Sequence, residues 1–60
     1  MKRTLIRVDG MVITIDVADQ KKRSMLILHD AAGRMVHLQF VEDVEKQIEQ
    51  IKKEGFEEIE

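Results

Sequence analysis

Hydrophobic and polar residues alternate along most of the first forty positions and then switch to a spacing of three and four. Alternation over residues 3–8, 11–17, 23–29 and 35–40 has the period of half-buried strands, whose successive side chains point to opposite faces. Beyond it, Val41, Val44, Ile48 and Ile51 fall on one stripe of a helix, and Glu42, Asp43, Glu45, Lys46, Glu49, Gln50, Lys52 and Lys53 cover the remaining circumference. Such a helix must lay its stripe on another element. The pattern therefore predicts one α+β domain spanning residues 1–60. A four-stranded antiparallel β-meander in the order 1-2-3-4 occupies residues 1–40, and a C-terminal amphipathic helix over 41–55 packs on one of its faces. Residues 56–60 are left as a tail or a short fifth strand.

The turns between the strands predict the pairing. Asp9-Gly10 between two alternating runs is the signature of a two-residue type I′ hairpin. It sets Val8 opposite Met11, Ile6 opposite Ile13 and Thr4 opposite Ile15, all on one face. The polar connection at residues 19–22 continues that face by setting Ile15 opposite Leu26 and Ile13 opposite Leu28. In Asp30-Ala31-Ala32-Gly33-Arg34, Asp starts a type I turn and Gly33 takes the left-handed position. That turn sets Leu28 opposite Val36, Leu26 opposite Leu38 and Ser24 opposite Phe40. The expected inner face is then Ile6, Val8, Met11, Ile13, Ile15, Val17, Leu26, Leu28, Val36, Leu38 and Phe40.

Both ends of the helix carry terminus chemistry. Glu42, Asp43 and Glu45 suit the positive end of the helix dipole and Lys52 and Lys53 the negative end. Gly55 is placed as a left-handed terminator, with Phe56 folding back.

Composition narrows the classes. Sixty residues form a domain near the size at which burial only marginally offsets chain entropy, so a disulfide, a metal or a partner subunit is the usual supplement. The chain has no cysteine, which removes disulfides and thiolate zinc sites and leaves the partner subunit. Its N-terminus reaches Asp9 before any signal-like apolar run has formed, so a soluble, cytoplasmic protein is expected. Residues 1–40 hold seven Lys/Arg against four Asp, whereas residues 41–60 hold three Lys against eight acids, giving the net charge of −2. The sheet end is mildly basic and the helical end acidic.

Candidate chemistry falls on the expected outer face. There Leu5, Val12, Met25, Ile27 and Met35 form a broken apolar patch inside a polar and basic rim, the kind of surface that marks an interaction site. Methionines adapt to the contour of a partner. His29 and His37 share that face with Asp16 in this register, but two imidazoles without a third close ligand make a poor metal site. Thr4, Thr14 and Ser24 lie in no strained nucleophile turn, and no glycine-rich phosphate loop is present. No enzyme activity, cofactor or metal is expected.

The expected function is that of a small non-enzymatic binding or regulatory module that self-associates, as a homodimer through the outer sheet face. The alternative is a nucleic-acid-binding module in which Arg3, Arg7, Lys21, Lys22 and Arg23 contact phosphates. A four-strand meander followed by a helix resembles, in topology alone, a family of dimeric single-stranded DNA binders whose sheets carry the nucleic acid. Against this alternative stand the negative net charge and an expected outer face without the aromatic platforms on which bases stack.

Overall fold

The computed structural model describes residues 1–18 and 23–59. Five strands, β1 (Lys2–Ile6), β2 (Val12–Asp16), β3 (Ser24–His29), β4 (Met35–Val41) and β5 (Glu57–Ile59), form one antiparallel sheet in the order β4-β3-β2-β1-β5. The helix α1 (Val44–Lys53) lies between β4 and β5 in the chain. The expectation of an α+β meander whose first four strands pair in order therefore holds, with two corrections. The sheet has a fifth strand, and the helix connects two strands rather than ending the fold. It carries the chain from one edge of the sheet to the other, where β5 pairs with β1. The topological likeness to a meander closed by a helix does not survive that crossover.

Local chemistry sets the helix bounds. Val41 still belongs to β4, and Asp43 is the N-cap, its carboxylate accepting from the Lys46 amide at 3.1 Å. At the other end the amides of Glu54 and Gly55 bond back to Ile51 and Lys52, and Gly55 takes a φ of 95°. Phe56 then turns back into the core, as the terminator chemistry predicts.

The β2–β3 register is the expected one, with Ile13 opposite Leu28 and Ile15 opposite Leu26. The other two hairpins are each displaced by one residue. In the first, Leu5 opposes Ile13 and Arg3 opposes Ile15. The reason lies in the turn. A type I′ turn needs positive φ at both Asp9 and Gly10, yet among the described residues only glycines have it. The chain instead makes a three-residue loop in which Gly10 N bonds Arg7 O at 2.9 Å and Arg7 N bonds Met11 O at 3.0 Å. Asp9 braces it by accepting from the Met11 amide. The third hairpin uses the same geometry, with Gly33 N bonding Asp30 O and Asp30 N bonding Arg34 O, both at 2.9 Å. That turn is the predicted one, and His29 opposite Met35 follows from it. The register then shifts between Leu28 and His29, so Leu28 opposes His37 and Leu26 opposes Gln39. One extra residue in β4 is a bulge, and it reverses every later side chain of that strand.

These displacements exchange the two faces of β1 and β4. The core is Leu5, Ile13, Ile15, Leu26, Val41, Ile48, Ile51 and Phe56, with Met11, Val17, Leu28 and Val44 packed against it. Leu5, assigned to the outer face from sequence, is completely buried at 0% exposure. Ile6, Val8, Val36, Leu38 and Phe40, assigned to the inner face, are exposed. Physical compensation for β1 comes from its arginines. Arg3 and Arg7 flank Leu5 on the helix-bearing side, where long aliphatic stems can cover apolar surface while their charged ends find carboxylates.

Candidate self-association surface

The face opposite the helix is built from alternate residues of all five strands. Its middle row runs Leu38, Ile27, Thr14, Thr4, Ile59 across the sheet. Toward the glycine turns lies the row Met35, His29, Val12, Ile6, Glu57, and on the other side Phe40, Met25, Asp16, Lys2. Apolar residues concentrate at one end. Met25, Ile27, Met35, Leu38 and Phe40 share this face on β3 and β4, with Phe40 57% exposed, whereas β1 and β2 mix Ile6 and Val12 with Thr4, Thr14, Asp16 and Lys2. The helix covers the other face through Ile48 and Ile51, so among the described residues no element lies over this group.

Of the residues assigned to the outer patch from sequence, Val12, Met25, Ile27 and Met35 are on this face and Leu5 is not. Leu38 and Phe40, at 44% and 57% exposure, are also members, and the sequence reading places them on the inner face. A signal for them exists in the sequence. Asp43 with its first-turn partners starts the helix no earlier than residue 44, which leaves Val41 in the strand. A buried Val41 then forces Phe40 and Leu38 outward by alternation.

Of the residues proposed for phosphate contact, the described ones, Arg3, Arg7 and Arg23, do not share one face. Arg3 lies on the helix-bearing face and makes a two-pronged pair with Glu58, Nε to Oε2 at 2.6 Å and Nη2 to Oε1 at 2.8 Å, while also donating to Glu45. Hydrogen bonding by these carboxylates raises the pKa of Arg3, and Arg3 in turn holds the Glu58 carboxyl below its ordinary range, with Lys52 adding to the effect at 3.9 Å. Arg7 grips Asp9 through both Nε and Nη2, at 2.9 and 2.8 Å, and stacks over Phe56 at 4.7 Å from the ring centre. That pair raises Arg7 and lowers Asp9. Arg23 sits over the Phe40 ring at 5.6 Å, on the rim of the apolar group. Lys21 and Lys22 lie outside the described residues.

The histidines separate. His29 stays on the outer face opposite Met35, but the bulge places His37 on the helix side, where Nε2 is 2.9 Å from Gln39 Oε1. The shared-face geometry expected for a two-histidine site is thus not formed, and no group of three metal-ligating side chains occurs among the described residues. A depression of about 150 Å³ lies between β1 and β5, lined by Ile6, Arg7, Val8, Gly55 and Glu57. It is below the several hundred Å³ typical of small-molecule pockets. No helix among the described residues is long and apolar enough to cross a membrane.

No known protein family matches this chain, and neither characterised proteins nor solved structures include a significant match to it.

Proposed function

We propose that this protein is a non-enzymatic binding or regulatory module that works as a homo-oligomer, with the apolar outer faces of two copies packed against each other about a two-fold axis. The supporting observation is the uncovered group of Met25, Ile27, Met35, Leu38 and Phe40 on a sheet whose other face is already occupied by its own helix. Apolar groups rimmed by polar residues, here Thr14, Asp16 and Arg23, are typical of protein contacts. The size of the chain supports the same reading. A 60-residue domain buries only about 60 per cent of its unfolded surface, so a second copy adds an unusually large share of stability.

The test is the mass in solution. Ile27→Glu places a carboxylate at the centre of the face, where burial without a partner costs several kcal/mol, on the order of 3–5. It should lower the mass of the assembly while leaving the circular-dichroism spectrum unchanged. Lys46→Glu, on the exposed side of the helix, should leave the mass alone. A monomer at high micromolar concentration, or an Ile27→Glu protein of unchanged mass, refutes the face contact. The nucleic-acid reading draws on one feature, the Arg23–Phe40 stack. Binding of single-stranded DNA or RNA at about 50 mM salt, lost on Phe40→Ala, would favour it.

A further inference from the structure

Asp9-Gly10 is the one Asp-Gly step in the sequence, and the first hairpin loop requires both residues. Gly10 has a φ of 93°, and a Cβ there would lie 2.8 Å from the Ala31 methyl, so the loop strongly favours glycine at this position. Asp9 braces the loop from the other side. Its carboxylate accepts from the Met11 amide at 3.2 Å and from Arg7 Nε and Nη2 at 2.9 and 2.8 Å.

That pair of residues carries a chemical liability. Glycine has no side chain to shield its amide nitrogen, so Gly10 N can attack Cγ of a protonated Asp9 carboxyl. A C–N bond forms, the carboxyl hydroxyl leaves as water with the amide proton, and a succinimide ring closes. Water added back at Cγ restores aspartate. Water added at the main-chain carbonyl carbon gives isoaspartate, whose main chain runs through Cβ and Cγ and is longer by one methylene. The other aspartates are less exposed to this attack, because Asp16 and Asp43 precede valine, Asp19 precedes glutamine and Asp30 precedes alanine.

Two contacts in the loop oppose the step, and Arg7 makes both. Its guanidinium engages both carboxylate oxygens of Asp9, and these hydrogen bonds hold the carboxyl below its ordinary pKa, which reduces the protonated form that the attack needs. Its carbonyl accepts from Gly10 N at 2.9 Å and so ties down the attacking nitrogen. Phe56, under the guanidinium at 4.7 Å, steadies Arg7 in this place. Burial gives no such protection, since the Asp9 side chain is half-exposed and open to water.

We propose that Asp9-Gly10 is a site of isoaspartate formation that the folded chain suppresses, with Arg7 as the protecting residue. The inference is independent of self-association, because Arg7 lies on the helix-bearing side. The modification proceeds when the Arg7–Asp9 pair opens, and once made it keeps the loop from closing. An added methylene does not fit between the Arg7 N–Met11 O and Gly10 N–Arg7 O bonds, and that loop sets Leu5 opposite Ile13.

The test is to age the protein at mildly acidic to neutral pH, both folded and in urea. Isoaspartate at residue 9 is then measured by peptide mapping and by labelling with a methyltransferase specific for isoaspartyl carboxylates. Folded unmodified protein should accumulate it more slowly than the same protein in urea. Arg7→Gln, confirmed as folded by circular dichroism, should accumulate it about two- to fivefold faster than the unmodified protein, the range that an exposed ion pair supports. Arg34→Gln, which removes the Arg34–Asp30 pair of the third hairpin, should leave the rate at Asp9 unchanged. Should Arg7→Gln fail to fold, Arg7→Lys takes its place, because lysine keeps the charge and the aliphatic stem but not the two-pronged contact. Folded protein that ages as fast as protein in urea overturns the proposal, and so does a folded Arg7 variant that ages no faster than the unmodified chain.

Discussion

β4 and β5 bound the two sides of the sheet, and they differ in length, charge and neighbours. β5 has three residues, two of them glutamates, and Glu58 is locked to Arg3 of the adjoining strand with Lys52 of the helix nearby. β4 has seven residues, none charged, and its outer side chains are among the most exposed apolar groups in the protein. A short, charged, ion-paired strand is a poor template for another chain, whereas a long uncharged one is a good template. The difference shows which end of the molecule is finished. The β5 side is completed within the monomer, by the helix that delivers it and by Phe56 beneath Arg7. Among the described residues, the β4 side has both a face and an edge unoccupied.

The largest effects should come from dismantling the finished side. Leu5 is fully buried in the strand that carries β5, so Leu5→Ala should cost about 2–5 kcal/mol in chemical denaturation, enough to unfold a domain of this size. Ile6→Ala, one position along on the opposite face, should be mild for folding. Equal costs would mean that β1 is not seated as described.

Gly10 gives the next largest effect. Its φ of 93° disfavours any side chain, and a Cβ there would come within 2.8 Å of the Ala31 methyl in the neighbouring hairpin loop. Gly10→Ala should cost about 1–3 kcal/mol, read as a lowered melting temperature. Ala31→Gly placed on top should recover the part due to the collision but not the part due to the backbone.

Acid should then separate the two sides more gently. Glu58 and Asp9 are held below their ordinary values of 4.5 and 3.8, chiefly by hydrogen bonds from Arg3 and Arg7. A carboxyl with a lowered folded-state pKa contributes stability that is complete above its ordinary value and disappears as pH falls through the folded-state value. Stability should therefore be level at neutral pH and decline as pH falls below about 4.5. Glu58→Gln should flatten part of that decline, whereas Arg34→Ala, on the unfinished side, should leave it unchanged. The smallest effect expected is from Lys53→Ala, at the exposed end of the helix and away from the outer face, which should not alter the mass of the assembly.

Two stretches explain how much of this was legible beforehand. The β2–β3 register, the α1 stripe and the glycine that ends the helix follow from alternation, spacing and turn chemistry, because each depends on residues close together in the chain. The two displaced strands do not. Around Leu5 the sequence offers Ile6 and Val8 as a more apolar alternative face, and what reverses the preference is distant. Glu58 and Glu45 receive Arg3, and Phe56 lies under Arg7. In β4 a single bulge residue turns His37 and Gln39 to the helix side and the more apolar Leu38 and Phe40 outward, against the alternation that the preceding turn sets.

By itself, then, the sequence determined the first four strands and the helix, their order along the chain and the pairing of the middle strands, since short-range sterics and periodicity decide those. Which face of β1 meets the helix was decided only when the chain closed on itself, and which face of β4 does so by the bulge at its hairpin end. The helix had to return to pair β5 with β1, and the ion pairs and ring contacts made there act between residues 42 and 55 positions apart. That closure buried Leu5, and the bulge in β4 turned Leu38 and Phe40 outward, so the surface assigned to self-association is a product of the tertiary fold.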